Sequence, residues 1–171
     1  IIIVDAEREY GFVREFGGEV IEISPNSQNH FNPLDVAEET DGDNIVAMKS
    51  EVITSILEQQ MGAGRLSGSH KSIIDRCVAA IYKDAKEVGY MPTLSSLRLK
   101  LLEQPEPQAK DIALSLELFT TGSLDIFGHG SNVDLDKRVT VFDIHGLGAQ
   151  LKPTALLVIT DTMLNRVTLN W

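Results

Sequence analysis

The first twenty-three residues alternate between two kinds of pattern. Ile1-Ile2-Ile3-Val4 is an unbroken β-branched run ended by Asp5, the pattern of a strand buried on both faces. Tyr10, Val13 and Phe16 then recur at three-residue spacing, and Gly17-Gly18 supplies a helix stop. Glu19-Val20-Ile21-Glu22-Ile23 alternates polar and apolar, as a half-buried strand does. Strand, short helix and strand in so few residues predict a compact βαβ step with the two strands parallel. Ser24-Pro25-Asn26-Ser27 and Asn32-Pro33 break the pattern with turn formers.

From about residue 43 to 122 the period becomes helical. Ile45, Val52 and Ile56, beside Val46, Ile53 and Leu57, predict one apolar face that ends at Gly62. After a Gly/Ser-rich stretch, 62–69, apolar pairs return at four-residue steps as Ile73/Ile74, Cys77/Val78 and Ile81/Tyr82, up to Gly89. Pro92-Thr93 starts a third helix with Leu94, Leu97 and Leu101 on one side. Beyond Pro105 and Pro107 a fourth carries Ile112, Leu116 and Phe119 as far as Gly122. Four amphipathic helices with short links predict an all-helical subdomain, with the acids Asp35, Glu38, Glu39, Asp41 and Asp43 at its entrance. Strand character returns at Val139–Ile144, and Gly146 and Gly148 turn the chain. Leu156, Ile159, Met163, Val167 and Trp171 then fit a helix, although Leu157–Thr160 has strand propensity. The reading is α/β, a helical interruption, then α/β again.

Charge narrows the partners. Fifteen basic residues against twenty-five acidic ones give a net charge of −10. General attraction to phosphate backbones needs the opposite excess, so strong nucleic-acid binding is not expected. One cysteine excludes an internal disulfide and a multi-cysteine zinc site, and no apolar run has the length of a bilayer span. Together these predict a soluble chain of a reducing compartment. Both ends fall inside patterned segments, as in a piece cut from a larger protein.

The chemical motifs are imitations. In Gly62–Ser72, aligning Lys71-Ser72 with a P-loop puts Arg65 and His70 where glycines belong, so a loop between helices is expected. Gly146-Leu147-Gly148-Ala149-Gln150-Leu151 has the first two glycines of a dinucleotide fingerprint but Leu151 in place of the third. Leu156–Asp161 resembles an apolar strand ending in an acid, broken by Thr160. No histidine pairs with another or with Cys77 at ligand spacing, so no metal site is expected. Cys77 lies on an apolar helix face, the place of a small buried thiol. Asp5 and Glu7 follow a strand, where α/β folds place ligands, and are read either as site acids or as a solvated turn.

Taken in order, Ile2-Ile3-Val4-Asp5-Ala6-Glu7-Arg8-Glu9-Tyr10, Gly17-Gly18 and Asn32-Pro33-Leu34-Asp35 resemble the conjugative type IV secretion ATPases. These are the VirB/TraC/TraE-type proteins of the HerA/FtsK group of RecA-like motors. Phe127, Ser131-Asn132-Val133-Asp134, Phe142-Asp143-Ile144, Leu147-Gly148 and Leu164-Asn165-Arg166 continue the likeness. Ala6 departs from the proline common there. The resemblance implies a partial RecA-like P-loop NTPase core in two parts, 1–34 and 123–171, interrupted by a helical insertion at 35–122. It places the chain between the P-loop and the acidic Walker B strand, so the segment alone would be inactive. The parent would bind ATP and Mg²⁺, hydrolyse ATP for DNA transfer or channel assembly, and work as a homo-oligomer, a hexamer, with other secretion components. Its place would be the bacterial cytoplasm at the inner face of the membrane. Asp5 would border the nucleotide site, and Glu7 would be an accessory catalytic group orienting the attacking water. Arg8, Arg138 and Arg166 are read as interface cations or surface salt bridges, with no arginine finger assigned. The alternatives are a helical docking module for other secretion components and a dinucleotide-binding enzyme fragment.

Overall fold

The computed structural model describes residues 1–25, 27–36, 42–122, 124–133, 135 and 137–168. Three four-residue strands form a parallel sheet: β1 (Ile2–Asp5), β2 (Glu19–Glu22) and β3 (Thr140–Asp143). Their order is β1-β3-β2. The strands of the expected βαβ step are parallel, but β3 lies between them. Ile3 pairs with Val141, and Val20 pairs with Val141 from the other side. β1 thus lies at an edge of the sheet formed by the described residues, and its partial burial corrects the expectation of burial on both faces. Ile2, Ile3 and Val4 are half-buried, Ile1 is 77% exposed, and only Asp5 of the strand is buried. The central β3 is buried throughout.

Between β1 and β2 the chain makes a 3₁₀ turn at Gly11–Phe16, closed by Gly17 at φ 76°. Val13 alone of this turn is buried. Gly18 must be glycine for space: a Cβ there would stand 2.1 Å from Val13 Cγ1 and 3.0 Å from the Val139 carbonyl oxygen.

The helices run where the period predicts: α1 (Gly42–Met61), α2 (Gly68–Val88), α3 (Leu94–Leu102), α4 (Pro107–Thr120) and, after β3, α5 (Lys152–Thr168). Their boundaries have local causes. Ser67 and His70 form a capping box at the start of α2, Thr93 and Ser96 another at α3, and Pro107 begins α4. Gly89 ends α2 in the left-handed conformation. Helix α3 packs on α4 and α2, and α1 packs on α2 and α5. The core is continuous from Ile53, Ile56 and Leu57 through Ile74, Leu97 and Leu116 to Phe142 and Ile159. Phe31, from the β2–α1 connection, meets Phe142 edge-on at 5.1 Å and joins sheet to helices.

Helix wins over strand at Leu157–Thr160, but the inward face of α5 is Ala155, Val158 and Ile159, while Leu156 is 42% exposed. Of the predicted stripe, Ile159 is buried and Met163 packs against the core, and Leu156 is the member that departs among the described side chains. Val167 and Trp171, with Asn26, lie outside the described side chains, as do Glu38, Glu39, Asp41 and Asp43 of the acidic entrance.

A buried polar joint links the parts. Lys49 of α1 is fully buried; its Nζ donates to Asp161 Oδ2 of α5 at 2.6 Å and to the Pro33 carbonyl at 3.0 Å. Asn32, also buried, donates from Nδ2 to Asp35 Oδ1 and to the Pro92 carbonyl ahead of α3, and accepts from the Leu34 N–H. Tyr82 of α2 donates its hydroxyl to the Leu34 carbonyl. The Asn-Pro-Leu-Asp turn is thus the point where α1, α2, α3 and α5 are tied to the connection leaving β2.

Candidate functional site at the carboxyl edge of the sheet

The last register row of the sheet is acidic in every strand: Asp5, Asp143 and Glu22 stand side by side. Ligands of open parallel sheets bind at this edge, because the connecting loops diverge there. Three neighbouring carboxylates repel unless each is compensated. Asp5 is buried and is served by the backbone: it accepts from the Glu7 N–H at 3.2 Å and the Tyr10 N–H at 2.9 Å. Burial pushes its pKa up, but the amides of Tyr10, Glu9, Glu7 and Arg8 outweigh this and hold it below the ordinary value. Asp143, also buried, accepts from Arg8 Nε at 2.7 Å and from the His145 N–H at 3.0 Å. Glu22 is exposed and accepts from Arg8 Nη2 at 3.2 Å.

Arg8 therefore spans the ends of β3 and β2 from the loop that leaves β1. Its backbone is left-handed, φ 63°, alone among the described non-glycine residues. Its bond to Asp143, reinforced by charge, pushes the guanidinium above its ordinary value. The Ala6 carbonyl, at the start of the same loop, lies 3.3 Å from His145 Nδ1 and accepts from Lys152 Nζ at 3.4 Å. Opposite, the loops after β3 and β2 approach closely: a Cβ on Gly146 would stand 2.9 Å from Ser24 Cβ.

The structure brings Asp5 and Glu7 into one loop, with the Glu7 N–H on the Asp5 carboxylate and the Glu7 side chain exposed. It adds Glu22, Asp143 and Arg8, which the sequence reading left apart. The signal was present as an acid at or one place before the end of each of three short β runs, but their common register appears only once β3 is known to be central. Arg8 forms the salt bridge that was one of its two readings, while the side chain of Arg166 lies outside the described residues. The acid at the end of Leu156–Asp161 sits on a helix, paired with Lys49. Cys77 is buried, and burial raises its pKa. Among the described residues, no group of three or more His, Cys, Asp and Glu has the arrangement of a metal site, and no helix is long and apolar enough to cross a membrane.

Ser131 and Asn132, two residues of the likeness noted in the sequence, stitch the β2–α1 connection to the loop before β3. Asn132 accepts from the His30 N–H and donates to the Gln28 carbonyl, and Ser131 Oγ accepts from the Asn32 N–H. Asp134 lies outside the described residues.

No protein-family model and no curated protein matches the chain. Among solved structures, VirB4 of Thermoanaerobacter pseudethanolicus superposes on 98% of this chain, and on 69% of its own, with a TM-score of 0.79 and 21% sequence identity. The fold is that of VirB4. Sheet, helices and carboxyl-edge loops together make up the VirB4-like region, since the match spans nearly every described residue.

Proposed function

We propose that this chain is a segment of the ATPase domain of a type IV secretion motor. The observation that carries this reading is the likeness to VirB4 over 98% of the chain. In this reading residues 1–34 and 123–171 are two parts of one RecA-like core and residues 35–122 are a helical insertion. Its physical support is the topology: β1 and β2 from the first part acquire their common neighbour β3 only after four helices have intervened.

The carboxyl edge borders a nucleotide site and does not itself fit ATP with Mg²⁺. Both Asp5 oxygens face loop amides, both Asp143 oxygens are bonded, and the 171 residues contain no GxxxxGK[ST] string to wrap phosphates. Those groups belong to the full-length protein. Within this chain, Asp5 orders the turn at the end of β1. Glu7, exposed beside that turn, is the group positioned to accept a hydrogen bond from an attacking water. Further copies of the protein, as a hexamer, and other secretion components are its proposed partners, at the cytoplasmic face of the membrane in a bacterium.

The test is ATP hydrolysis by the purified 171-residue chain and by the full-length protein. The expected result is no turnover by the chain and turnover by the full-length protein, reduced at least ~100-fold by Glu7→Gln. Turnover by the pure chain overturns its proposed inactivity, and a full-length protein without turnover overturns the motor reading.

A further inference from the structure

Resting on that reading, we propose that Arg8 is a positioning residue: by bridging Asp143 and Glu22 it latches the 6–10 loop, and with it Glu7, onto the carboxyl edge. A left-handed backbone on a side chain as large as arginine persists only where its surroundings over-determine it. Here they do. Nε reaches the end of β3 and Nη2 the end of β2, while the loop itself issues from β1, so one guanidinium ties together all three strand ends.

The alternative use of such a cation, as a receptor for a phosphate, fits less well. Two carboxylates already face one guanidinium, and Asp5 and Glu7 stand in the same loop, so the neighbourhood is net negative. On the near side of Glu7, the Ala6 carbonyl is held by Lys152. The Glu7 N–H is held by Asp5, and on the far side Arg8 is held by two strands. The Glu7 backbone is therefore pinned in place while its carboxylate faces solvent.

Two measurements test the latch. In the full-length protein, Arg8→Ala and Arg8→Gly are expected to lower kcat for ATP about 10-fold or more with KM within about 3-fold, because a misplaced group costs transition-state rather than ground-state binding. Arg8→Lys, able to reach one acid but not both, should recover part of the loss. Glu7→Gln combined with Arg8→Gly should be no slower than Glu7→Gln alone. In the 171-residue chain, Arg8→Gly should lose amide-exchange protection at Glu7 and Tyr10 while Ile56 and Leu116 in the helices keep theirs. Glycine adopts the left-handed backbone freely, so that variant isolates the guanidinium from backbone strain. Unchanged kcat, an additive double variant, or unchanged protection at Glu7 and Tyr10 overturns the proposal. If the full-length wild type shows no turnover, the motor reading fails by itself, and the exchange measurement alone decides whether Arg8 is the latch.

Discussion

Replacing Lys49 by methionine removes the ammonium from the joint between α1 and α5 while keeping most of its volume. Two acceptors lose a donor: Asp161 Oδ2 at 2.6 Å and the Pro33 carbonyl at 3.0 Å. The Lys49 side chain is 1% exposed and that of Asp161 13%. Water therefore has little access to the ammonium and limited access to the carboxylate. Breaking a buried pair from one side costs about 3–5 kcal/mol, and the partial exposure of Asp161 puts this case at the lower end, about 3 kcal/mol. In a chain of this size that is a fall of roughly 6–12 °C in melting temperature. Lys49→Met with Asp161→Leu removes the charge from both sides, and an apolar pair in place of a buried ion pair is often neutral or better. The double variant is thus expected to regain most of the loss. Denaturant unfolding of wild type, both single variants and the double closes the cycle. A Lys49→Met cost below about 1 kcal/mol, or a double variant as unstable as the sum of the singles, refutes the claim that this pair clamps the two helices.

Two further predictions concern protons. Burial pushes the Tyr82 hydroxyl far up, with the charges of Asp35 and Asp161 adding to it, so the folded chain holds this proton where an unfolded tyrosine, with a pKa of about 10, gives it up. Stability from Tyr82 is full below about pH 10 and declines above it. Tyr82→Phe should flatten that alkaline limb in pH-dependent unfolding, at a cost of about 1–2 kcal/mol near neutrality from the Leu34 carbonyl left without its donor. At the other end of the scale, Asp5 has a folded pKa below the unfolded value, so its contribution is present above about pH 4 and is lost as pH falls through the folded value. Asp5→Ala should cost about 1.5–3 kcal/mol at pH 7 and remove that acid-limb loss, and an unchanged acid limb would contradict the assignment of Asp5 as the acceptor for the loop amides.

Helical elements were legible because their causes are local. The pairs Ile73/Ile74 and Cys77/Val78, the cap at Thr93, the helix-starting Pro107 and the stop at Gly89 all act within a turn or two of chain. Strand existence was legible from β-branched runs. Strand order was not, since no pattern in Ile2–Asp5 or Glu19–Glu22 says that residues 140–143 come between them. The same separation concealed the candidate site. Arg8 and Asp143 are 135 positions apart, and Lys49 and Asp161 are 112 apart. Lys49 did leave a trace, as a charged residue four places before Ile53 on a face otherwise apolar, but a lysine there more often reaches for solvent along its stem. Asp161 was noticed for the wrong chemistry, because an acid after an apolar run signals a strand end only when the run is a strand.

The position of β3 in the middle of the sheet also sets the order in which the molecule can be made. Among the described residues β1 and β2 do not pair with each other, and the strand that joins them, residues 140–143, leaves the ribosome after both. All four intervening helices leave the exit tunnel before β3, and they already have one another to pack on, with α5 joining α1 later. Closing a loop of over a hundred residues between unstructured ends is slow and entropically costly. A prefolded helical body shortens that search, carrying the Asn32 turn at one end and Phe127 near the other. In this chain the helices therefore serve the sheet as scaffolding erected before the keystone strand arrives, and until residues 140–143 are made β1 and β2 lack the strand that joins them.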